Sequence, residues 1–167
     1  MNPRQTLLLG AALVLPAAAR AADRVGSRTC AACHPKAYAA WSAGPHARAA
    51  ESLDPAHRRD LACLHCHAPE VPLTKTAVWD KPPTRAEREG IPCETCHGAG
   101  ESYAPEYVMR DAELARAVGL RDPGERTCRA CHLPGSPSLS PFDYQTAVRL
   151  IDHWSAEKAS ARSRGSP

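Results

Sequence analysis

Residues 30–46 read CAACHPKAYAAWSAGPH, and they contain two histidines twelve residues apart, His34 and His46. His34 closes a Cys-x-x-Cys-His unit that begins at Cys30, whereas His46 follows a Gly-Pro pair at which a helix is expected to end. The same unit occurs three more times along the chain. The fold and the site of this protein are predicted from these four units together with the histidines outside them.

All eight cysteines of the 167-residue chain fall into these units, and a histidine follows every pair. The units are CAACH (Cys30, Cys33, His34), CLHCH (Cys63, Cys66, His67), CETCH (Cys93, Cys96, His97) and CRACH (Cys128, Cys131, His132). A disulfide framework or a zinc ribbon uses paired cysteines but does not require the histidine after each pair. Thioredoxin-like redox pairs need a βαβ setting, which is implausible for four units in so short a chain.

Cys-x-x-Cys-His is the attachment signal of c-type haem. Two thiols one helical turn apart reach the two vinyl groups of one haem edge, and the next residue places its imidazole under the iron. The sequence therefore predicts four covalently attached haem c groups, with the motif histidines as proximal ligands.

The composition favours the same interpretation, because the chain is poor in large apolar side chains. It has one Phe, four Tyr and three Trp, and it carries 16 Pro. Such a chain has difficulty building a dense core from side chains alone. We expect a mostly α, irregular helical multihaem fold in which the haems form the core. Helices are predicted over residues 35–43, 46–53 and 105–118, from about Pro55 with Asp54 as N-cap, and as a long final helix from Ser140 to about Ala161.

The first 21 residues have the features of a secretory signal peptide. Arg4 precedes a short apolar run over residues 7–16, and a small-residue stretch follows, so cleavage is expected after Ala21. The run is too short to span a bilayer. We expect residues 22–161 to form one tetrahaem domain in the periplasm and residues 162–167 to be a disordered tail. Without Arg4 and Arg20 the chain has a formal charge of about +1, which argues against nucleic-acid binding.

Four irons have eight axial positions, and four histidines lie outside the motifs: His46, His57, His65 and His153. The helix after His34 carries the chain about 13 Å away from its own haem, so His46 is predicted to ligate a neighbouring haem. His57 is a further candidate ligand, while His65 lies inside the second unit and can reach only a different haem. Methionine ligation is open to Met109 alone once Met1 leaves with the signal.

Three stretches of the chain resemble the tetrahaem cytochrome c-554 family. Residues 33–55, CHPKAYAAWSAGPHARAAESLDP, are similar to its first haem region, and GIPCETCHGAG over residues 90–100 is similar to its third. CRACHLPGSP and FDYQTAVRLIDH, over residues 128–137 and 142–153, are similar to its fourth haem segment and closing helix. The resemblance implies haems in close, partly stacked pairs. It also implies that His46 and His153 are distal ligands of the third and fourth haems, in an order that the resemblance leaves open.

The chain departs from the family at the first haem. The family has a further distal histidine downstream of its third unit, and the equivalent position here is about Tyr107. Tyr107, Met109 or His57 are the candidates to replace that ligand. The resemblance also implies an open distal position on the second haem.

Two functions follow from these patterns. The first is electron transfer between redox protein partners by a periplasmic tetrahaem cytochrome. The alternative is a redox enzyme with an open five-coordinate haem that acts on a small nitrogen-containing ligand such as nitric oxide.

Overall fold

Short helices make up the regular structure of the chain. The computed structural model describes residues 21–69, 90–135 and 141–155, and these ranges contain helices and turns but no β-strand. The α-helices are α1 (Ser27–Cys33), α2 (Pro35–Ala43), α3 (Leu61–His67), α4 (Cys93–His97), α5 (Glu106–Met109), α6 (Ala112–Ala117), α7 (Glu125–Arg129) and α8 (Tyr144–Leu150). Two 3₁₀ helices, His46–Ser52 and His57–Arg59, lie between α2 and α3. The mostly helical fold predicted from the sequence is confirmed within these ranges.

Aspartates start three of the helices. Asp60 accepts a hydrogen bond from the backbone N–H of Ala62, Asp111 accepts from Glu113 and Leu114, and Asp143 accepts from Thr146. Each carboxylate satisfies N–H groups that have no partner inside the helix. α2 begins instead at a proline, whose fixed φ suits the first helical turn.

Several predicted helices are shorter than expected, because internal aspartates restart them. The predicted helix over residues 105–118 is interrupted at Arg110 and Asp111, where Asp111 caps α6. The helix expected from Pro55 is divided into the 3₁₀ helix His57–Arg59 and α3, since Asp60 caps a new helix.

The predicted long final helix does not form as one element in the described residues. It begins after Asp143 rather than at Ser140, and it ends at Leu150. Asp152 then accepts hydrogen bonds from the backbone N–H groups of Trp154 and Ser155, at 2.9 Å each, which starts a second helical turn. The signal peptide, the tail and the end of this helix lie outside the described residues.

Side chains form only two small apolar clusters in the described ranges. The first cluster joins the 3₁₀ segment after α2 to α3, and its members are Ala50, Leu53, Leu64 and Ala68. Tyr103, Val108 and Ala115 form the second, with Met109 and Leu120 packed against it. Because both clusters are small, they leave most of the helices without a core of their own.

A buried glutamate joins the segment before α1 to α4. Glu94 has no solvent exposure, and its carboxylate accepts hydrogen bonds from the backbone N–H groups of Val25, Gly26 and Gly100 at 2.6–2.9 Å. Three charge-assisted bonds compensate for burying the carboxylate. The first and third Cys-x-x-Cys-His units are therefore held beside each other.

In the described ranges, no helix is both long enough and apolar enough to cross a membrane.

Candidate haem sites

Each Cys-x-x-Cys-His unit forms a helical turn in the structure. The first three units lie on α1, α3 and α4, and the fourth runs off the end of α7. In the first and fourth units the backbone N–H of the histidine donates to the carbonyl of the first cysteine, at 2.8 Å from His34 to Cys30 and 2.9 Å from His132 to Cys128. The two thiols of a unit therefore lie on one face of a helical turn, as two-point attachment to a haem edge requires. All eight cysteines lie in the described ranges, and none of them is in a disulfide.

Two histidines from outside the units lie opposite motif histidines. The ring of His46 lies 6.1 Å from the ring of His132, measured between centroids, with an angle of 64° between the ring planes. The ring of His153 lies 6.1 Å from that of His97, at an angle of 78°. The structure thus pairs His46 with the fourth unit and His153 with the third, the order that the sequence left open.

These separations fit an iron between the two rings. A metal–imidazole bond is about 2.0 Å long and a ring nitrogen lies roughly 1.1 Å from the ring centroid, so two imidazoles on opposite sides of one iron have centroids roughly 6.2 Å apart. The donor set and its spacing therefore suit the axial positions of a haem.

Hydrogen bonds at Nδ1 leave the other ring nitrogen available in several of these histidines. Nδ1 of His97 is 3.2 Å from the carbonyl oxygen of Arg121, and Nδ1 of His153 is 2.9 Å from that of Ile151. Nδ1 of His67 is 2.8 Å from the carbonyl oxygen of Ala49. Because a carbonyl oxygen only accepts, Nδ1 carries the proton and Nε2 keeps its lone pair. This is the outer-shell arrangement that orients metal-ligating histidines.

Burial favours the neutral form of three of these rings, those of His46, His97 and His132. Desolvation lowers the pKa of His46, His97 and His132 below the ordinary value of 6.5. The proximity of His132 lowers the pKa of His46 further. Since only the neutral imidazole binds a metal, these rings are prepared for ligation at neutral pH.

Backbone contacts fix the segment that carries His46. The N–H of Ile91 donates to the carbonyl of His46 at 2.8 Å, and the N–H of Gly90 donates to that of Ala47 at 3.2 Å. Trp41 Nε1 donates to the carbonyl of Ile91 at 2.8 Å. The approach is so close that a Cβ at Gly90 would lie only 2.5 Å from the backbone nitrogen of Ala49. The segment just before the third unit therefore holds His46 in position beside the fourth unit.

Thiols from different units also contact each other. The Cys30 thiol hydrogen-bonds Cys93, and this contact raises the pKa of Cys30 and lowers that of Cys93. Cys131 hydrogen-bonds Cys66, although burial is the larger cause of its raised pKa. Cys128 lies near enough to raise the pKa of Cys96 by charge repulsion, after burial. The attachment points of the four units are therefore neighbours in the order first, third, fourth, second.

The other candidate residues lie away from these ring pairs. His57 is exposed, and its Nδ1 is 2.7 Å from Oδ2 of Asp54. His65 is also exposed, on α3. Tyr107 is 75% exposed, and Met109 packs against the Tyr103 cluster. Within the described ranges, none of these four makes a ring contact with a motif histidine.

Two aromatic residues that the sequence pattern did not single out contact motif histidines. Phe142 stacks on His132 with centroids 4.4 Å apart and planes 23° apart, so it limits the rotation of that ring. Trp154 lies 6.2 Å from His34, at an angle of 56°. The position of Trp154 directly after His153 was the available signal, since one turn of chain can serve two adjacent sites.

The helical fold, the Cys-x-x-Cys-His turns and the paired imidazoles are the features expected of a c-type cytochrome. Residues 29–98 match the family described as cytochrome c554 and c-prime. Cytochrome c-554 of Nitrosomonas europaea is 26% identical over a match that covers 67% of this chain and 59% of that protein. The chain thus spans about three fifths of the length of that relative. The reduced-state structure of cytochrome c554 from the same organism superposes with a TM-score of 0.54, at 23% identity, and covers 78% of this chain and 79% of that chain. These matches confirm the resemblance predicted from the sequence: the chain is similar to cytochrome c-554 in sequence and in fold.

Proposed function

We propose that this protein is a periplasmic tetrahaem c-type cytochrome that transfers electrons between redox protein partners. The observation that supports this most strongly is the pairing of His46 with His132 and of His153 with His97, at the separation of two axial ligands on one iron. When bound, the haems supply one-electron redox chemistry.

The chain's own residues hold and orient the groups in this proposal. The eight motif cysteines form the thioether links, and the four motif histidines are the proximal ligands. His46 is the distal ligand opposite His132, and His153 is the distal ligand opposite His97. The Nδ1–H groups of His97 and His153 donate hydrogen bonds to the carbonyls of Arg121 and Ile151 respectively. Both rings therefore present Nε2 to the same iron. Ligation by two histidines lacks the potential-raising effect of a methionine ligand.

The contacts between thiols support a linear order of the four sites. Cys30 contacts Cys93, Cys96 lies near Cys128, and Cys131 contacts Cys66. The first and second units therefore lie at the two ends of the series, and the two histidine-paired units lie in the middle. Such an order suits a carrier that accepts an electron at one end and delivers it at the other.

His57 is retained as a candidate ligand. The carboxylate of Asp54 occupies its Nδ1 and leaves Nε2 available. Its exposed ring lies just before α3, which carries the second unit. A loss of low-spin haem absorbance in His57→Ala would assign the residue to an iron, and an unchanged spectrum would remove it.

The test of the main proposal is production of the full chain in a bacterium that has the c-type haem maturation system. The mass of the processed protein should correspond to four covalent haems and to cleavage after Ala21, and the protein should be recovered from the periplasm. A matched Cys128→Ala, Cys131→Ala variant should carry one haem fewer. Stepwise reduction of the wild type should then consume four electrons per chain. A protein without covalent haem would contradict the proposal.

A further inference from the structure

Arg121 contacts the third Cys-x-x-Cys-His unit with its backbone and with its side chain. Its backbone N–H donates to the carbonyl of His97 at 2.8 Å, and its own carbonyl oxygen lies 3.2 Å from Nδ1 of His97. Its guanidinium Nη2 donates to the carbonyl of Thr95 at 3.2 Å, and Thr95 lies between the two cysteines of the unit. One residue therefore holds the proximal histidine and places a positive charge beside the attachment turn.

A glycine allows this close approach. Gly98 ends the third unit with φ +90°, a conformation that favours glycine. A Cβ at this position would lie 2.6 Å from the carbonyl oxygen of Gly119 and 3.2 Å from Nε of Arg121. The segment over residues 119–121 therefore lies directly against the end of α4. Arg121 remains exposed to solvent, so its charge is screened by salt but is not removed.

The charge of Arg121 is not cancelled by its neighbours. Asp122, the next residue, pairs with Arg116 at 2.7 Å. In the part of the chain that the structure describes, Arg121 makes no ion pair of its own. Its charge does reach the unit: burial and the proximity of Cys128 raise the pKa of the Cys96 thiol, and Arg121 opposes that rise.

The third unit also contains a negative charge that a cation can offset. The carboxylate of Glu94 is fully buried, and its three hydrogen bonds come from backbone N–H groups rather than from a cation. Reduction of a haem adds one electron to it, so a nearby anion opposes reduction and a nearby cation favours it. The effect of Arg121 therefore has a definite sign.

We propose that the guanidinium of Arg121 raises the reduction potential of the iron held by His97. Ligation by two histidines leaves that iron without the potential-raising effect of a methionine. A cation at the attachment turn supplies part of that effect by charge, and the third unit becomes a better electron acceptor than it would be beside a neutral side chain. The inference rests on the covalent haem attachment and the electron transfer proposed above.

The test is a spectroelectrochemical titration of the holoprotein and of three variants, each with its haem number verified by mass. Arg121→Gln removes the charge and keeps an N–H donor, whereas Arg121→Lys keeps the charge and removes the guanidinium. Both leave the two backbone contacts with His97 in place. Arg110→Gln is the control for net charge, since Arg110 is exposed and pairs with Glu106 on α5.

In Arg121→Gln one haem should become harder to reduce. At low ionic strength its equilibrium constant for reduction should fall about threefold to tenfold, a negative shift of about 30–60 mV for one electron. The haem concerned should be the one whose low-spin signal disappears in His153→Ala. In 1 M salt, where the Debye length is about 3 Å, most of the shift should vanish. Arg121→Lys and Arg110→Gln should stay within about twofold of the wild type.

Three results would overturn the inference: four unchanged potentials in Arg121→Gln, an equal shift in Arg121→Lys, or an equal shift in Arg110→Gln. An equal shift in the lysine variant would mean that the side chain acts by holding the turn and not by its charge. Any of these results in a protein that carries four haems would leave the electron-transfer proposal intact. A mass without haem would refute the electron-transfer proposal itself, and this inference with it.

Discussion

The buried carboxylate of Glu94 offers the sharpest test of how the haem units are held together. Its Oε1 accepts from Val25 N at 2.9 Å and from Gly100 N at 2.6 Å, and its Oε2 accepts from Gly26 N at 2.8 Å. In Glu94→Gln one oxygen becomes an NH₂ group that faces an N–H donor. The lost charge-assisted bond costs about 1.5–3 kcal/mol, and the remaining bonds lose their charge assistance, which brings the total to about 3–5 kcal/mol.

Urea unfolding of the holoprotein, followed by far-UV circular dichroism, measures this loss. With an m value of about 1–3 kcal/mol/M, the midpoint should fall by roughly 1–5 M. Glu106→Gln is the matched control, since that side chain is 70% exposed and pairs only with Arg110 on the same helix. Its effect should stay below about 0.5 kcal/mol. Equal midpoints for the two variants would refute the assignment of Glu94 as the buried link between the first and third units.

Three further predictions concern the ligands, their platform and a buried phenol. His46→Ala and His153→Ala should each convert one haem from low-spin to high-spin and add one carbon monoxide site per chain; a variant that stays fully low-spin would contradict the ligand assignment. Gly90→Ala should displace the His46 segment, because its Cβ meets backbone atoms there, and should lower both the low-spin absorbance and the stability by more than about 1 kcal/mol, whereas Gly124→Ala has open space and should change neither. Burial raises the pKa of Tyr103 from 10.0 to about 12. The unfolded chain therefore loses this proton first, and roughly 2–3 kcal/mol of stability should disappear between about pH 10 and pH 12. In the Tyr103→Phe variant that part of the alkaline loss should be absent.

The local geometry of the four units could be predicted from the sequence, because it depends on spacing within a few residues. Cys-x-x-Cys-His places two thiols and an imidazole on one helical turn wherever it occurs. The helix over residues 35–43 was likewise predicted to the residue, since Pro35 starts it and Gly44-Pro45 ends it. Lengths of the later helices were overestimated. At Asp111 and Asp152 a side-chain cap competes with helix continuation, and composition alone does not decide that competition.

The sequence by itself determined the number of Cys-x-x-Cys-His units, and it limited the candidate distal ligands to the few histidines outside them. Only the tertiary structure decided which unit each distal histidine faces, because that depends on the contact of His46 and Ile91 and on the turn at Asp152. It also decided that the ring of Trp154 lies 6.2 Å from that of His34. Attachment is set by neighbours along the chain, whereas distal pairing joins residues that are 56 and 86 positions apart in this chain, and folding alone brings them together.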